Sequence, residues 1–451
     1  MLLLKILVLA PHPDDEINVA GSVIVTFSRL GAEVFVAYST NGDFNQSADL
    51  RAAEALRSLE ILGVARDHVI WLGYGDTYNN TGKPHVFYAE TPTQSPAGHS
   101  ETYAPSGFNP WRQSTYTREH FLDDLQSLIL ELRADVIFCV DLDFHADHRA
   151  LSLAFDRAMG KILRCEEYRP TVFKKLAYAT AFTAEQDLHS DCLLPTKRPH
   201  LGLEAYDFDL IDKFFYDWES RVRFPILPQY RRPLLKGNPI ARAVFAHKSQ
   251  RIQRNALAII NADEVFFERR TDSITFRAEV SASSGNAEAV CDFRILDLID
   301  INESPPRFGN FAWTPSKDDR ERRVTFHWNA PQSVRLIKIY GTLDGSIDKL
   351  RISLDNIMVL ECRVERGGRP TAIELPTPIE ITRAEFRIIT ADGEFGIGEI
   401  EMFSTIEPTR ALQPPATIDC ETQCPELPRV LRLRFRQLLE RIYIHWLRKK
   451  H

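Results

Sequence analysis

Met1–Glu16 reads "MLLLKILVLAPHPDDE", an apolar run that breaks after Ala10 into one His, two Pro, two Asp and a Glu. Three readings compete: a secretion signal, a membrane anchor, or a buried strand. The run falls short of the roughly 18 apolar residues that span a bilayer. Lys5 interrupts it, no small-x-small site follows, and Pro11 and Pro13 stand where processing would occur. What remains is a central parallel strand, continuously hydrophobic because helices cover both faces. The expectation is a strand over Leu3–Ala10 that delivers His12, Asp14 and Asp15 from its carboxyl end.

The pattern repeats outward from there. Ile17–Leu30 reads as a helix and Ala32–Ser39 as a second strand. Ala48–Val64 is helical, with Gly63 as its stop signal. His68–Leu72 is a third strand, followed by a Gly/Pro/aromatic-rich stretch and a helix over Arg118–Arg133. Ala134–Asp143 is a fourth strand, Asp147–Arg164 a helix and Thr171–Thr180 a fifth strand. Strand alternating with helix predicts an α/β fold, a Rossmann-like doubly wound parallel sheet. In the order 3-2-1-4-5 the first and fourth strands are neighbours at the switch point, where ligands bind. "PHPDDE" after the first strand and "DFHADH" after the fourth are therefore expected in one crevice.

At 451 residues the chain is long enough for two or three domains. A hydrophobic content of 44% and a charged content of 26% are those of a globular protein. A net charge of −7 argues against a general nucleic-acid binder. Seven Cys without a dense framework point to a reducing, cytoplasmic setting. Cys420 and Cys424 lack a second pair or a neighbouring His, which disfavours a structural zinc site. From about Arg269 short alternating segments bounded by Gly, Pro, Asn and Asp replace the strand–helix rhythm, predicting an antiparallel β-sandwich. The expected division is a catalytic unit over 1–268, the sandwich over 272–404, a linker over 405–426 and a basic amphipathic helix over 427–451. Asn238–Asn261 reads as a long helix closing the first unit. In the tail Leu431, Phe435, Leu438, Ile442 and Trp446 share one side of a Lys/Arg-rich helix. That pattern suits either peripheral contact with a membrane surface or docking on a protein.

His12, Asp14, Asp15, His145, Asp147 and His148 are the residues able to do chemistry. Two His and a carboxylate around an open position can hold Zn²⁺. A remaining Asp can activate water and a remaining His can assist the leaving side. The same triad could hold Fe²⁺ for oxygen chemistry, but the additional Asp favours hydrolysis. No GxGxxG follows the first strand, which counts against a dinucleotide enzyme.

"PHPDDE" paired with "HADH" resembles the PIG-L/LmbE zinc-dependent N-deacetylases. "LRAAEALRSLEILGV", "WLGYGD" and "HKSQ" extend the likeness over roughly residues 1–265. The resemblance implies Zn²⁺ on His12, Asp15 and His148, with Asp14 as general base. It implies that His145 polarises the acetyl oxygen or protonates the amine, with Asp147 orienting it. Ala146 stands where the family's HPDH motif has Pro, a position that is not a ligand.

Arg51 and Glu54 lie one turn apart; Arg51 either grips a sugar hydroxyl or phosphate, or pairs with Glu54 on the helix surface. Asp76 in "GYGD" would, by resemblance, bind sugar hydroxyls. His247 in "HKSQ" is either functional or a packing histidine. Tyr78, Tyr88, Tyr103, Phe108 and Trp111 are candidates for a substrate-facing lid. "AEVSASSGN" through "VRLIKIYG", with "GEFGIGEIEMFS", is similar to the galactose-binding-like (discoidin-type) sandwich. The resulting expectation is a cytoplasmic deacetylase of an N-acetyl amino sugar of the N-acetylglucosamine type within a glycoconjugate. A family amidase with another acyl group, or a glycan-binding scaffold, are the alternatives.

Overall fold

The computed structural model describes residues 3–77, 85–142, 145–175, 220–227, 237–250, 263–295, 297–300, 307–309, 312–342, 345–355, 357–366 and 369–414, with Leu438 and Ile442 in the tail.

The opening apolar run forms β1 (Lys5–Ala10), and all of it beyond Lys5 is buried. Next come α1 (Asp15–Arg29), β2 (Glu33–Thr40), α2 (Ala48–Leu62), β3 (Val69–Tyr74) and α3 (Arg118–Leu132). β4 (Val136–Val140), α4 (Ala146–Cys165) and β5 (Thr171–Lys175) follow. β1 lies between β2 and β4, both parallel to it; Leu7 pairs with Phe35 on one side and Ile137 on the other. With helices over the sheet, these strands need no polar alternation, which is why they read as unbroken apolar runs.

The sheet continues beyond β5. β6 (Val222–Pro225) and β7 (Asp263–Arg269) give a seven-stranded order β3-β2-β1-β4-β5-β7-β6, and β7 is antiparallel to both β5 and β6. The expected 3-2-1-4-5 core is present, but the sheet is mixed. Short apolar runs such as Val265–Phe267 do not declare helix or strand by periodicity.

Two local departures bear on the site. α1 begins at Asp15, two residues before the expected start, so Asp15 and Glu16 occupy its first turn. The favourable N-terminal end of the helix dipole acts on both carboxylates. The long helix expected over Asn238–Asn261 is instead α5 (Pro239–Val244), capped by the Asn238 side chain on the backbone N–H groups of Ile240 and Ala241. Residues 245–250 form turns, and 251–261 lie outside the described residues.

The second unit is antiparallel: β8 (Glu279–Ala282), β9 (Asp297–Asp300), β10 (Arg307–Gly309), β11 (Arg323–Gly341), β12 (Ser346–Leu354), β13 (Met358–Val364), β14 (Thr371–Asp392) and β15 (Ile397–Phe403). β11 and β14 are long and shift register midway. The half of β11 nearest Val324 pairs with β8 and the half of β14 nearest Phe386 with β12, while the half of β11 nearest Ile337 lies between Ile373 of β14 and β15. Val324, Phe326, Ile337, Ile352, Phe386 and Ile400 meet in one apolar core, as a sandwich requires.

The two units share packing. Phe276, Phe293 and Leu412 are buried within the core of the first unit. Arg410 pairs with Glu268, and the Ala411 N–H donates to Thr171 Oγ1. The start of the expected 405–426 linker is therefore docked on the first unit, because Leu412 has apolar surface to bury there. Cys420, Cys424 and nearly all of the tail helix over 427–451 lie outside the described residues; Leu438 and Ile442, both helical, are exposed. Among the described residues no helix is long and apolar enough to cross a membrane.

Candidate active site

Every residue of the polar cluster sits at the carboxyl ends of the parallel strands. His12, Asp14 and Asp15 come from the turn between β1 and α1. Asp76 and Thr77 follow β3, and His145, Asp147 and His148 lie at the start of α4. β1 and β4 are adjacent while their connections diverge, which opens a crevice between them.

His12 is buried and has two occupied sides. Its Nδ1 lies 2.9 Å from Asp15 Oδ2 and 3.3 Å from His148 Nε2, and His148 Nε2 is 3.0 Å from the same Asp15 oxygen. Donors on a tetrahedral zinc, about 2.0–2.1 Å from the ion, stand roughly 3.3 Å from one another, so this triangle has the size of a ligand set. On the other side His12 Nε2 is 2.9 Å from Asp147 Oδ2 and 3.8 Å from Asp76 Oδ2. A carboxylate that accepts the Nε2 proton leaves the Nδ1 lone pair for a metal. Groupings of His12 with His145 and His148, and of His12 with Asp76 and Asp147, are also close enough to hold an ion. The first shares its face with Asp15; the second occupies the side where His12 makes its hydrogen bond.

The electrostatics agree with a cation site. Burial disfavours charge on His12, yet the carboxylates of Asp76, Asp147 and Asp15 outweigh it and raise the imidazole well above its ordinary range. Burial would raise Asp15 too, but His148 and His12 hold it well below the usual carboxylate range. The pocket thus stabilises positive charge beside Asp15, whether carried by protons or by a metal.

Asp14 is differently placed. Its side chain is 18% exposed, against 7% for Asp15 and none for Asp147. Arg51 Nη2 donates to Asp14 Oδ1 at 2.7 Å and to the Pro13 carbonyl at 3.2 Å. Burial, only partly offset by Arg51, raises the Asp14 carboxyl above its usual range. Gly42, at φ +64°, leaves room for the guanidinium: a Cβ there would stand 2.8 Å from Arg51 Cζ.

His145 caps α4, its Nδ1 accepting the backbone N–H of Asp147 at 3.2 Å. The ring proton of a neutral imidazole is then on Nε2. Burial, followed by the charges of His12 and His148, pushes His145 well below its ordinary range, so the neutral form is favoured.

Several expectations change. The Asp147 carboxylate does not orient His145: its Oδ2 is 3.9 Å from His145 Nδ1, and it bonds His12 instead. The first turn of α4 directs this carboxylate toward His12 and the Asp147 backbone N–H toward His145. Arg51 and Glu54 do not form a helix-surface pair; Arg51 holds Asp14, and Glu54 accepts from Ser249. Arg51 is buried with its guanidinium on Asp14. Asp76 is buried beside His12. The described aromatics of the expected lid are half-buried and make contacts of their own. Phe108 lies against Trp71, and Trp111 donates to Ser127. Tyr88 lies under Arg118 and Arg157, and the Tyr103 hydroxyl donates to Asp43. Tyr78 lies outside the described residues. His247 is buried against Glu16.

Thr77 and His85 were not legible beforehand. Thr77 Oγ1 donates to Asp147 Oδ1 at 2.5 Å, and His85 Nε2 is 2.5 Å from the same oxygen. His85 comes from the long stretch after β3, where no periodicity marks its direction.

Residues 7–159 match the family model PIG-L, described as GlcNAc-PI de-N-acetylase. No curated protein matches the chain. Among solved structures, N,N'-diacetylchitobiose deacetylase from Pyrococcus horikoshii is 17% identical, covering 59% of this chain and 84% of its own, with a TM-score of 0.33. The zinc-inhibited form of teicoplanin deacetylase Orf2 is 16% identical, covering 58% and 97%, with a TM-score of 0.34. A family 32 carbohydrate-binding module of C. perfringens NanJ, in complex with galactose, is 18% identical over 28% of this chain and 92% of its own, with a TM-score of 0.22. The segment 7–159, which matches the PIG-L family model, supplies every residue of the polar cluster.

Proposed function

We propose that this chain is a zinc-dependent hydrolase that removes the acetyl group from an N-acetylated amino sugar of the N-acetylglucosamine type in a glycoconjugate. The observation that carries the reading is the buried triangle of His12, Asp15 and His148 with a separate carboxylate, Asp14, at its solvent side. The PIG-L match over the same residues supports it.

Zinc held by His12 Nδ1, Asp15 and His148 Nε2 would supply Lewis acidity toward the acetamide oxygen and toward water. Asp14 takes the proton from the water that adds to the acetamide carbonyl, and Arg51 fixes the carboxylate that does so. His145, with its proton on Nε2, donates to the oxygen on which negative charge develops. The carbon–nitrogen bond then breaks, acetate leaves, and the proton taken from water is returned to the amine. Asp147, braced by Thr77 and His85, holds His12 through Nε2, in the tautomer whose Nδ1 lone pair could ligate a metal.

Acetate release should be measured across free, nucleotide-linked, lipid-linked and polymeric N-acetylglucosamine, with an acyl-length series on the best substrate. Release from at least one, lost on chelation and restored by zinc, is the expected result. Stoichiometric zinc with no release from any of them would make the chain a binding protein; preference for a longer acyl group would make it a different amidase.

A further inference from the structure

The turn "HKSQ" at 247–250 contributes nothing to the chemistry above, yet it is bonded to both helices that flank the site. His247 is fully buried, with Nε2 2.8 Å from Glu16 Oε1. The same carboxylate accepts Ser58 Oγ at 2.6 Å and, on its other oxygen, the Tyr38 hydroxyl at 2.9 Å. Glu16 therefore joins α1, α2, β2 and the turn. Two residues on, Ser249 donates from its backbone N–H to Glu54 Oε1 at 2.9 Å and from its hydroxyl to Glu54 Oε2 at 2.7 Å. Glu54 lies one turn after Arg51 on α2, and Arg51 holds Asp14.

These bonds close a ring: Asp14 to Arg51, along α2 to Glu54, across to Ser249 and His247, onto Glu16, and back along the backbone to Asp14. Each link ends on a carboxylate, so each is a charge-assisted hydrogen bond of the stronger kind. There is little slack, because the Arg51 guanidinium passes between Asp14 and the Cα of Gly42. A shift of α2 relative to α1 is thus delivered to the Asp14 carboxylate.

We infer that the 247–249 turn is a positioning clamp: it fixes α2 against the first turn of α1 and so holds the Arg51–Asp14 pair in register with the metal site. The inference rests on the reading that Asp14 is the general base. His247 and Ser249 are positioning residues that act through Glu16 and Glu54. Ser249, half-buried, is the side to perturb, because removing its hydroxyl leaves the core packed.

The test compares Ser249→Ala, Ser249→Thr and Glu54→Gln with wild type in the full chain. Readouts are steady-state acetate release, zinc affinity by chelator competition, and amide hydrogen exchange. Ser249→Ala and Glu54→Gln are expected to lower kcat by about 10- to 100-fold, the cost of a misplaced reacting group, while KM stays within about twofold. Zinc affinity is expected to hold, Ser249→Thr to restore most of kcat, and amides over 14–20 and 48–58 to exchange faster in Ser249→Ala. A kcat within about twofold of wild type with unchanged exchange, or a fall in kcat that tracks lost zinc, would overturn the clamp. If wild type releases no acetate, the proposed activity fails instead, and the clamp stands or falls on the exchange data.

Discussion

Asp14 and Asp15 are adjacent and chemically identical, and the turn after β1 employs them differently. Asp15 opens α1 and faces two imidazoles, whereas Asp14 turns to Arg51 and solvent. Asp14→Asn should therefore keep zinc while turnover falls by about 10²- to 10⁴-fold, the range for loss of a general base. His148→Ala removes a corner of the triangle and should lose both, as metal analysis beside the acetate assay would show. If Asp14→Asn retained near-wild-type turnover, the assignment of the base would be wrong. His85 acts through Asp147 on His12, so His85→Ala should weaken zinc binding by about 10- to 100-fold, read by competition with a chromogenic chelator. At this scale the motif residues were legible in sequence, since His, Asp and Pro after an apolar run have few other uses. Their pairings were not: whether Asp147 serves His145 or His12 depends on which way one helical turn faces. His85 carried no sequence signal at all.

Helices and strands place these residues. α4 begins with the site's histidines and runs on to pack against the second unit. Gly160 lies at that contact, where an added Cβ would stand 2.0 Å from the backbone oxygen of Asp292. Backbone cannot give way as a side chain can, so Gly160→Ala should destabilise the fold by about 1–3 kcal/mol, as overpacking does. A lowered denaturant midpoint with an unchanged slope would show it; an unchanged midpoint would mean that the two surfaces can part without loss. Elements from β1 to β5 could be read in advance because both faces of each strand are buried and each helix repeats at 3.6 residues. β6, β7 and the short α5 could not: their runs are too brief for either period to declare itself.

For the whole molecule, the two units do not behave as separate beads on a linker. Phe276, Phe293 and Leu412 enter the first core, Arg164 pairs with Glu288, and Arg270 donates to the carbonyls of Thr405 and Ile406. A chain truncated after Thr271 loses that cover and leaves apolar surface on α4 and β5 open to water. It is expected to elute from size exclusion as aggregates, whereas the full chain is not. A monodisperse, stable truncation would show that the first unit completes its core alone.

Residue order alone carries the class of fold, the neighbouring places of the two acidic and histidine clusters, and the change to an antiparallel second unit. Those follow from periodicity and strand order, which are local or nearly so. Which carboxylate meets which histidine, the pairing of Arg51 with Asp14, and the bonds of His247 and Ser249 to two helices arise in the folded interior. These are contacts between residues as far as 231 positions apart, set by how side chains pack in the interior, and no local pattern encodes their direction.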